Sequence, residues 1–389
     1  MKKILFIVLF LFATLSPMSF LHAQDNSVIQ DKISVIKAKV LEITNQENKT
    51  IPGTDTKSNY QTLKAEILEG GDAGRIVTVQ NDYLNLKTGE TFYMMDTVSA
   101  DTGVEYFSVQ DPYRLPVLYF FIGLFVLCVF LFGGMQGVRG LVSLVGSFVL
   151  IVYVLMPGII HGYSPILLSI GVSSLIIILG SYITHGFNKT TTSAVLGMIT
   201  TIIFTGILAY IAVKLTHLSG FYSEESTYLN FNTRGAIDFA GLLFGGIMIG
   251  LLGVLYDVSI GQAISVEELH HVGPHLPKKA IYMRAIRIGR EHIGALVNTL
   301  AIAYVGASLP LLLLFYTSTT GLPHEPIINQ EIFATEIIRT VIGSIGLILA
   351  VPITTLVSVF LIMKKKEVSV DENILNREES KIDHIAHHH

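Results

Sequence analysis

From Leu115 to Met363 the chain is built of seven apolar runs, each near or above the ~20 residues a helix needs to cross a bilayer. They lie at approximately 115–135, 138–157, 164–184, 191–216, 235–262, 292–316 and 334–363. Runs of this length, repeated with short polar connections, predict an α-helical polytopic bundle of about seven spans over residues 113–366. The composition agrees: 51% of the 389 residues are hydrophobic and only 14% charged. That balance argues against a soluble enzyme with a large core. A net charge of −4 without a basic tract excludes nucleic acid as an expected partner. Cys128, the only cysteine, sits inside an apolar run, so neither a disulfide framework nor a cysteine metal site is expected. Tryptophan is absent, which leaves Tyr and Phe as interfacial anchors.

Ahead of the spans, residues 1–23 carry Lys2-Lys3, an apolar run through Leu15, and Leu21-His22-Ala23. This is the pattern of a secretory signal peptide cleaved after Ala23, with an uncleaved anchor helix as the alternative. Residues 24–112 then alternate with a period of two. Ile36, Ala38 and Val40 are separated by lysines, and Leu63, Ala65 and Ile67 by Lys64 and Glu66. Val77/Val79, Phe92/Met94 and Tyr106/Ser108 continue the pattern. Turns fall at Gly70-Gly71-Asp72, at Asp82 and at Lys87-Thr88-Gly89. Several short strands in so few residues predict a small extracytoplasmic all-β domain, a barrel or sandwich of OB-like proportions. No paired catalytic residues are evident in it. Asn48-Lys49-Thr50 fits a glycosylation sequon, which the bacterial look of the other features discounts.

Lys and Arg in the connections orient the bundle. With the β-domain outside, the inner connections hold Arg139, Lys189, the cluster Lys278, Lys279, Arg284, Arg287 and Arg290, and Lys364-Lys365-Lys366. The outer ones hold Arg234 alongside Glu224, Glu225, Glu325 and Glu331. The expected location is the bacterial cytoplasmic membrane. Residues 263–291 form the one long inner connection. Pro274 and Pro277 break it early, and Ile281, Ala285, Ile286 and Ile288 oppose Arg284, Arg287 and Arg290. This predicts an amphipathic helix on the inner membrane surface, the alternative being a solvated charged helix. Residues 367–389 are polar and read as a disordered tail, and the terminal His387-His388-His389 as incidental.

Within span five, Gly246, Gly250, Gly253 and Asp257 recur at steps of four, three and four, which puts them on one helix face. Glycine costs about 1 kcal/mol in a helix, so three in register suggest a close approach by a neighbour. A carboxylate in a span costs roughly 2.5 kcal/mol or more, so it is expected to face a partner, a cavity or a pathway. Span six returns antiparallel, with Asn298 and Thr299 at a depth similar to Asp257 and Ser259, and with Gly294 to let the backbones close in. Three roles compete for Asp257: a titratable coupling site for a proton or cation, a structural anchor held by Asn298 or Arg290, or part of a catalytic site. The last is disfavoured, because no nucleophile–base pair, paired carboxylates or HExxH spacing appears. Adjacent His270-His271, with His275 nearby, point about 100° apart on a helix, so no metal site is expected. Glu336 and Arg339 are spaced to pair with each other, and Asp238 meeting Arg339 would form a candidate outer gate. Lys214 is placed to snorkel to the outer surface, and Pro352 to kink span seven.

The stretch Gly250-Leu-Leu-Gly-Val-Leu-Tyr-Asp257-Val-Ser259 is followed by Ile288-Gly-Arg-Glu-His-Ile-Gly294-Ala-Leu-Val-Asn298-Thr-Leu-Ala-Ile-Ala-Tyr304-Val-Gly306. Together these resemble the YibE/F-like family of bacterial membrane proteins, over roughly residues 115–363. Glu267 or Glu268 also fits that pattern. The family's usual Asp-Ile after the Gly-Arg pair is replaced by Glu291-His292-Ile293, which leaves that position's role open. The resemblance implies architecture more than activity. A fainter likeness to half of an RND-type permease adds weight to proton-coupled transport.

The expectation is therefore a permease or transporter component, proton-coupled where Asp257 is the titratable site, with no cofactor and no enzymatic chemistry. The alternative is a non-transporting assembly or sensor protein whose outer domain binds a partner. The bilayer, a proton or cation, and an oligomer or partner subunit are the expected associations.

Overall fold

The structure, a computed structural model, describes residues 32–50, 57–82, 84–317 and 324–363. Residues 1–23, expected to be a signal peptide, the lysine triplet 364–366 and residues 367–389 lie outside the described residues. The chain divides between Gly133 and Gly134 into two compact units.

In the first unit the alternating segments form β1 (Lys32–Thr50), β2 (Lys57–Ile67), β3 (Ile76–Asn81), β4 (Thr91–Val98) and β5 (Glu105–Pro112). They close into a barrel in the order β1-β2-β3-β5-β4, with β1 pairing back onto β4. On β1 to β4 the inward positions are those the period of two marks, with Ala38, Val40, Leu63, Ala65, Ile67, Val77, Val79, Phe92 and Met94 buried together. On β5 the marked Tyr106 and Ser108 face outward, and the alternate Phe107 and Val109 pack on the core. β1 is long enough to serve both neighbours because register shifts at Val40/Glu42 and Ile43/Asn45 bend it. At the rim of the core two buried amides replace apolar side chains. Asn81 donates to Gln61 Oε1 at 2.8 Å. Gln61 in turn accepts from Leu86 N and donates to Leu86 O, both at 3.0 Å. All the strand pairs are antiparallel except β3 with β5, which run parallel and register through one residue pair, Gln80 with Ser108.

The helices are α1 (Leu115–Leu150), a π-helical turn Ile151–Leu155 and α2 (Met156–Ile160), then α3 (Pro165–His185), α4 (Lys189–Leu215) and the short α5 (Glu224–Asn232). α6 (Phe239–Val272), α7 (Lys278–Ala307), α8 (Leu309–Thr317), α9 (His324–Ile328) and α10 (Glu331–Ile362) follow. Among the described residues, five helical stretches are long and apolar enough to span a membrane, or six if α7 and α8, bent by 67°, count as one. The seven apolar runs thus map onto fewer rods. The first two lie on the single stretch Leu115–Ile160, whose backbone leaves helical geometry at Gly134 (φ 53°, ψ −141°). The connection between those runs, Gly-Gly-Met-Gln-Gly-Val-Arg139, has neither a proline nor the polar turn residues that would end a helix.

In the second unit α10 packs on α4, α6 and α7, and α6 also packs on α3 and α4. In lipid, helix association relies on close packing and hydrogen bonds rather than on exclusion from water. The contacts follow that rule. A Cβ at Gly197 would lie 2.8 Å from the Thr354 Cα, and one at Gly346 2.9 Å from Leu251. Hydroxyls pair between helices, Ser358 to Ser193 and Thr354 to Ser259, each at 3.1 Å. The expected surface helix is not a separate element. Its residues are the first half of α7, and Ile281 and Ala285 are buried against Val266, Val359 and Met363. An apolar stripe of that kind fits protein as well as lipid, and here neighbouring helices cover it.

Candidate functional site

α6 carries two opposed faces. Ile247, Met248, Leu251, Leu255, Val258 and Ser259 are buried in the bundle. Gly246, Gly250, Gly253 and Asp257 lie on the other, exposed face. The shared face read from the spacing is therefore present, but it is open. Cβ atoms built at Gly246, Gly253 and Gly294 would meet nothing within 4 Å, and only Gly250 has a neighbour, Tyr304 Oη at 2.9 Å. The close approaches that the sequence reading assigned to these glycines occur instead at Gly197, Gly289 and Gly346. A Cβ at Gly289 would collide with Val351 and sit 2.9 Å from Gln262 Oε1.

Two contacts set the register of the antiparallel pair α6 and α7. Gln262 stands against Gly289 and donates to Ala285 O at 2.7 Å, and Gly250 stands against Tyr304. Counting inward from both places Asp257 level with the turn Gly294–Asn298, about 27 Å along α6 from Phe239 at 1.5 Å per residue. Among the described residues no side-chain bond joins Asp257 to that turn. Among the described residues Asp257, Asn298 and Arg290 have no hydrogen-bond or ion-pair partner, and all three are exposed. Thr299 is exposed and donates to Leu296 O at 2.9 Å. Ser259 is on the opposite side of α6 from Asp257, buried on Thr354.

At the other end of the bundle, Arg339 pairs with Glu336 at 2.7 Å, as the spacing predicts. Its second partner is Tyr222 Oη at 2.9 Å, and Ser308 donates to Glu336 at 3.1 Å. Asp238 does not meet Arg339. It caps α6 by accepting from Gly241 N at 3.0 Å, and it borders a cavity of about 370 Å³ together with Lys214 and His217.

A model of the YibE/F-like protein family matches residues 121–364. The chain belongs to the YibE/F-like family. No curated protein and no solved structure matches it.

This YibE/F-like chain holds a polar track that spacing alone did not single out. Ser169, Ser173, Ser181 and His185 follow one face of α3 at helical intervals. Ser169 and Ser173 are fully buried, and among the described residues their hydroxyls have no hydrogen-bond partner. Ser181 is also buried, and Ile177 interrupts the row. Ser169 faces Gly245 of α6. At the far end His185 Nδ1 lies 3.1 Å from the hydroxyl of Tyr256, the residue before Asp257, and that hydroxyl is 3.4 Å from Gly180 O. The available signal was a serine every fourth residue in a span. It reads as ordinary helix packing until the absence of partners is seen. Among the described residues no three His, Cys, Asp or Glu side chains converge as a metal site would require.

Proposed function

We propose that this polytopic YibE/F-like protein is a permease component, not an enzyme, in which Asp257 loads and releases a proton or cation as a substrate is moved. The observation that carries the reading is the Asp257 carboxylate, unpaired among the described residues, on an apolar helix of membrane-spanning length. An anchoring aspartate would be held by Asn298 or Arg290, and neither is bonded to it. An uncompensated carboxylate in a span costs roughly 2.5–3.5 kcal/mol, and such residues mark ion or proton pathways. The buried hydroxyls of Ser169 and Ser173, ending at the His185–Tyr256 pair beside Asp257, support a polar route along α3 and α6. An imidazole and a hydroxyl in contact are groups that can pass a proton, and Tyr256 is the residue before Asp257 in α6.

A second reading, an assembly or sensor protein, is favoured by one feature: the open positions Gly246 and Gly253 on one face of α6 suit a partner helix at close range. Proteoliposomes separate the two. Vesicles with a lumenal pH dye are challenged with a panel of inorganic ions, sugars and amino acids. The permease reading expects one class to enter together with protons, and Asp257→Asn to slow that entry about tenfold or more. Flux that survives the substitution removes the coupling role, and no flux of any class favours assembly or sensing.

A further inference from the structure

The outer wall of the barrel carries a groove that the membrane mechanism does not use. Outward positions on four consecutive strands in the barrel order line it: Asn45 on β1, Tyr60 and Thr62 on β2, Gln80 on β3, and Tyr106 and Ser108 on β5. It encloses about 650 Å³. We propose that this groove binds a neutral oligosaccharide.

Its chemistry selects that class. Tyr106 is 59% exposed, too much for a side chain placed only for packing. Tyr60 lies two strands away, on the other side of β3. From the register, Tyr60 stands level with Asp82 and Tyr106 level with Thr78. Strand spacing of ~4.8 Å and a rise of ~3.3 Å per residue then separate the two rings by roughly 16 Å on the diagonal. That is room for several linked rings rather than one small solute. The exposed ring face of Tyr106 is electron-rich and attracts the weakly positive C–H face of a pyranose, whereas one face of Tyr60 is already taken by Lys49 and leaves only the other for such a contact. Between the rings, amides and hydroxyls offer both donors and acceptors, which is what sugar hydroxyls require.

The charges disfavour a polyanion. Glu47, Asp82 and Glu105 border the groove against Lys49. Lys49 is itself drawn to Glu47 at 3.3 Å and lies over the Tyr60 ring, 5.2 Å from its centroid. Glu105 is held by Arg75 at 2.8 Å. A phosphate backbone would meet this net negative border without the free cations it needs. The expected place of the barrel outside the cytoplasm also agrees with a glycan rather than a nucleic acid.

The test uses the full-length protein in detergent, titrated calorimetrically with chitotetraose, cellotetraose, maltotetraose and, as a contrast, tetralysine. The proposal expects saturable binding of at least one sugar, weakened about tenfold or more by Tyr106→Ala and by Gln80→Ala. It expects that binding to survive Lys32→Ala, an exposed change on β1 outside the groove. Both groove side chains point outward, so unchanged thermal unfolding of the variants separates lost binding from lost fold. Sugar binding indifferent to both groove changes overturns the proposal, as does saturation by none of the three sugars. Saturation by tetralysine alone overturns it in favour of a basic peptide.

Discussion

Asp257 shows how little a residue's identity says without its partners. The same carboxylate would be structural if Asn298 or Arg290 held it, and it stands instead on an open face with neither. Glu47 is the opposite case. It accepts from Asn45 at 2.9 Å and pairs with Lys49, and these contacts, Asn45 first, hold its carboxyl below the usual carboxylate range. With the folded value depressed, whatever this group adds to folding is present above its unfolded value and is lost as pH falls through the folded one. Asn45→Ala removes the first of these contacts, so the Glu47 titration followed by carboxyl 13C NMR is expected to move upward. An unchanged titration would assign the depression to Lys49 alone.

For the helices, glycine spacing and glycine contact are different pieces of information. The period of Gly246, Gly250 and Gly253 was legible in the sequence and correctly puts them on one face. Which face meets a neighbour was not legible, because that depends on where α3, α4 and α10 happen to lie. The crowded positions Gly197, Gly289 and Gly346 sit in no such run. Gly197→Ala is therefore expected to cost about 1–3 kcal/mol, because its methyl group meets the backbone of Thr354 rather than a movable side-chain tip. Gly253→Ala should be tolerated, and a gain of about 0.5–1 kcal/mol from helix propensity is expected. Thermal unfolding of the two variants side by side checks the pair of signs. A destabilised Gly253→Ala would show that a second helix occupies the stripe in the assembled protein. The same limit explains α7. Its stripe of Ile281 and Ala285 was readable, but the protein that covers it was not.

For the whole molecule, alternation and hydropathy carried most of the architecture. Every strand of the barrel falls on a segment of period two, and each membrane-length helix falls on an apolar run. What the pattern could not carry is long-range pairing. The parallel β3–β5 closure and the contact of His185 with Tyr256 both depend on residues brought together from distant positions. The closure has a further consequence. A hoop of five staves is as tight as its slackest joint, and here that joint is one registered pair, Gln80 with Ser108, lying under the groove between Tyr60 and Tyr106. Backbone amides along β3 and β5 are expected to trade deuterium sooner than those shared by β1 and β2, whose ladder runs from Ala38 to Thr50. A molecule seated across both staves would clamp the joint, so slower exchange there would report its arrival at a distance from any ring it touches.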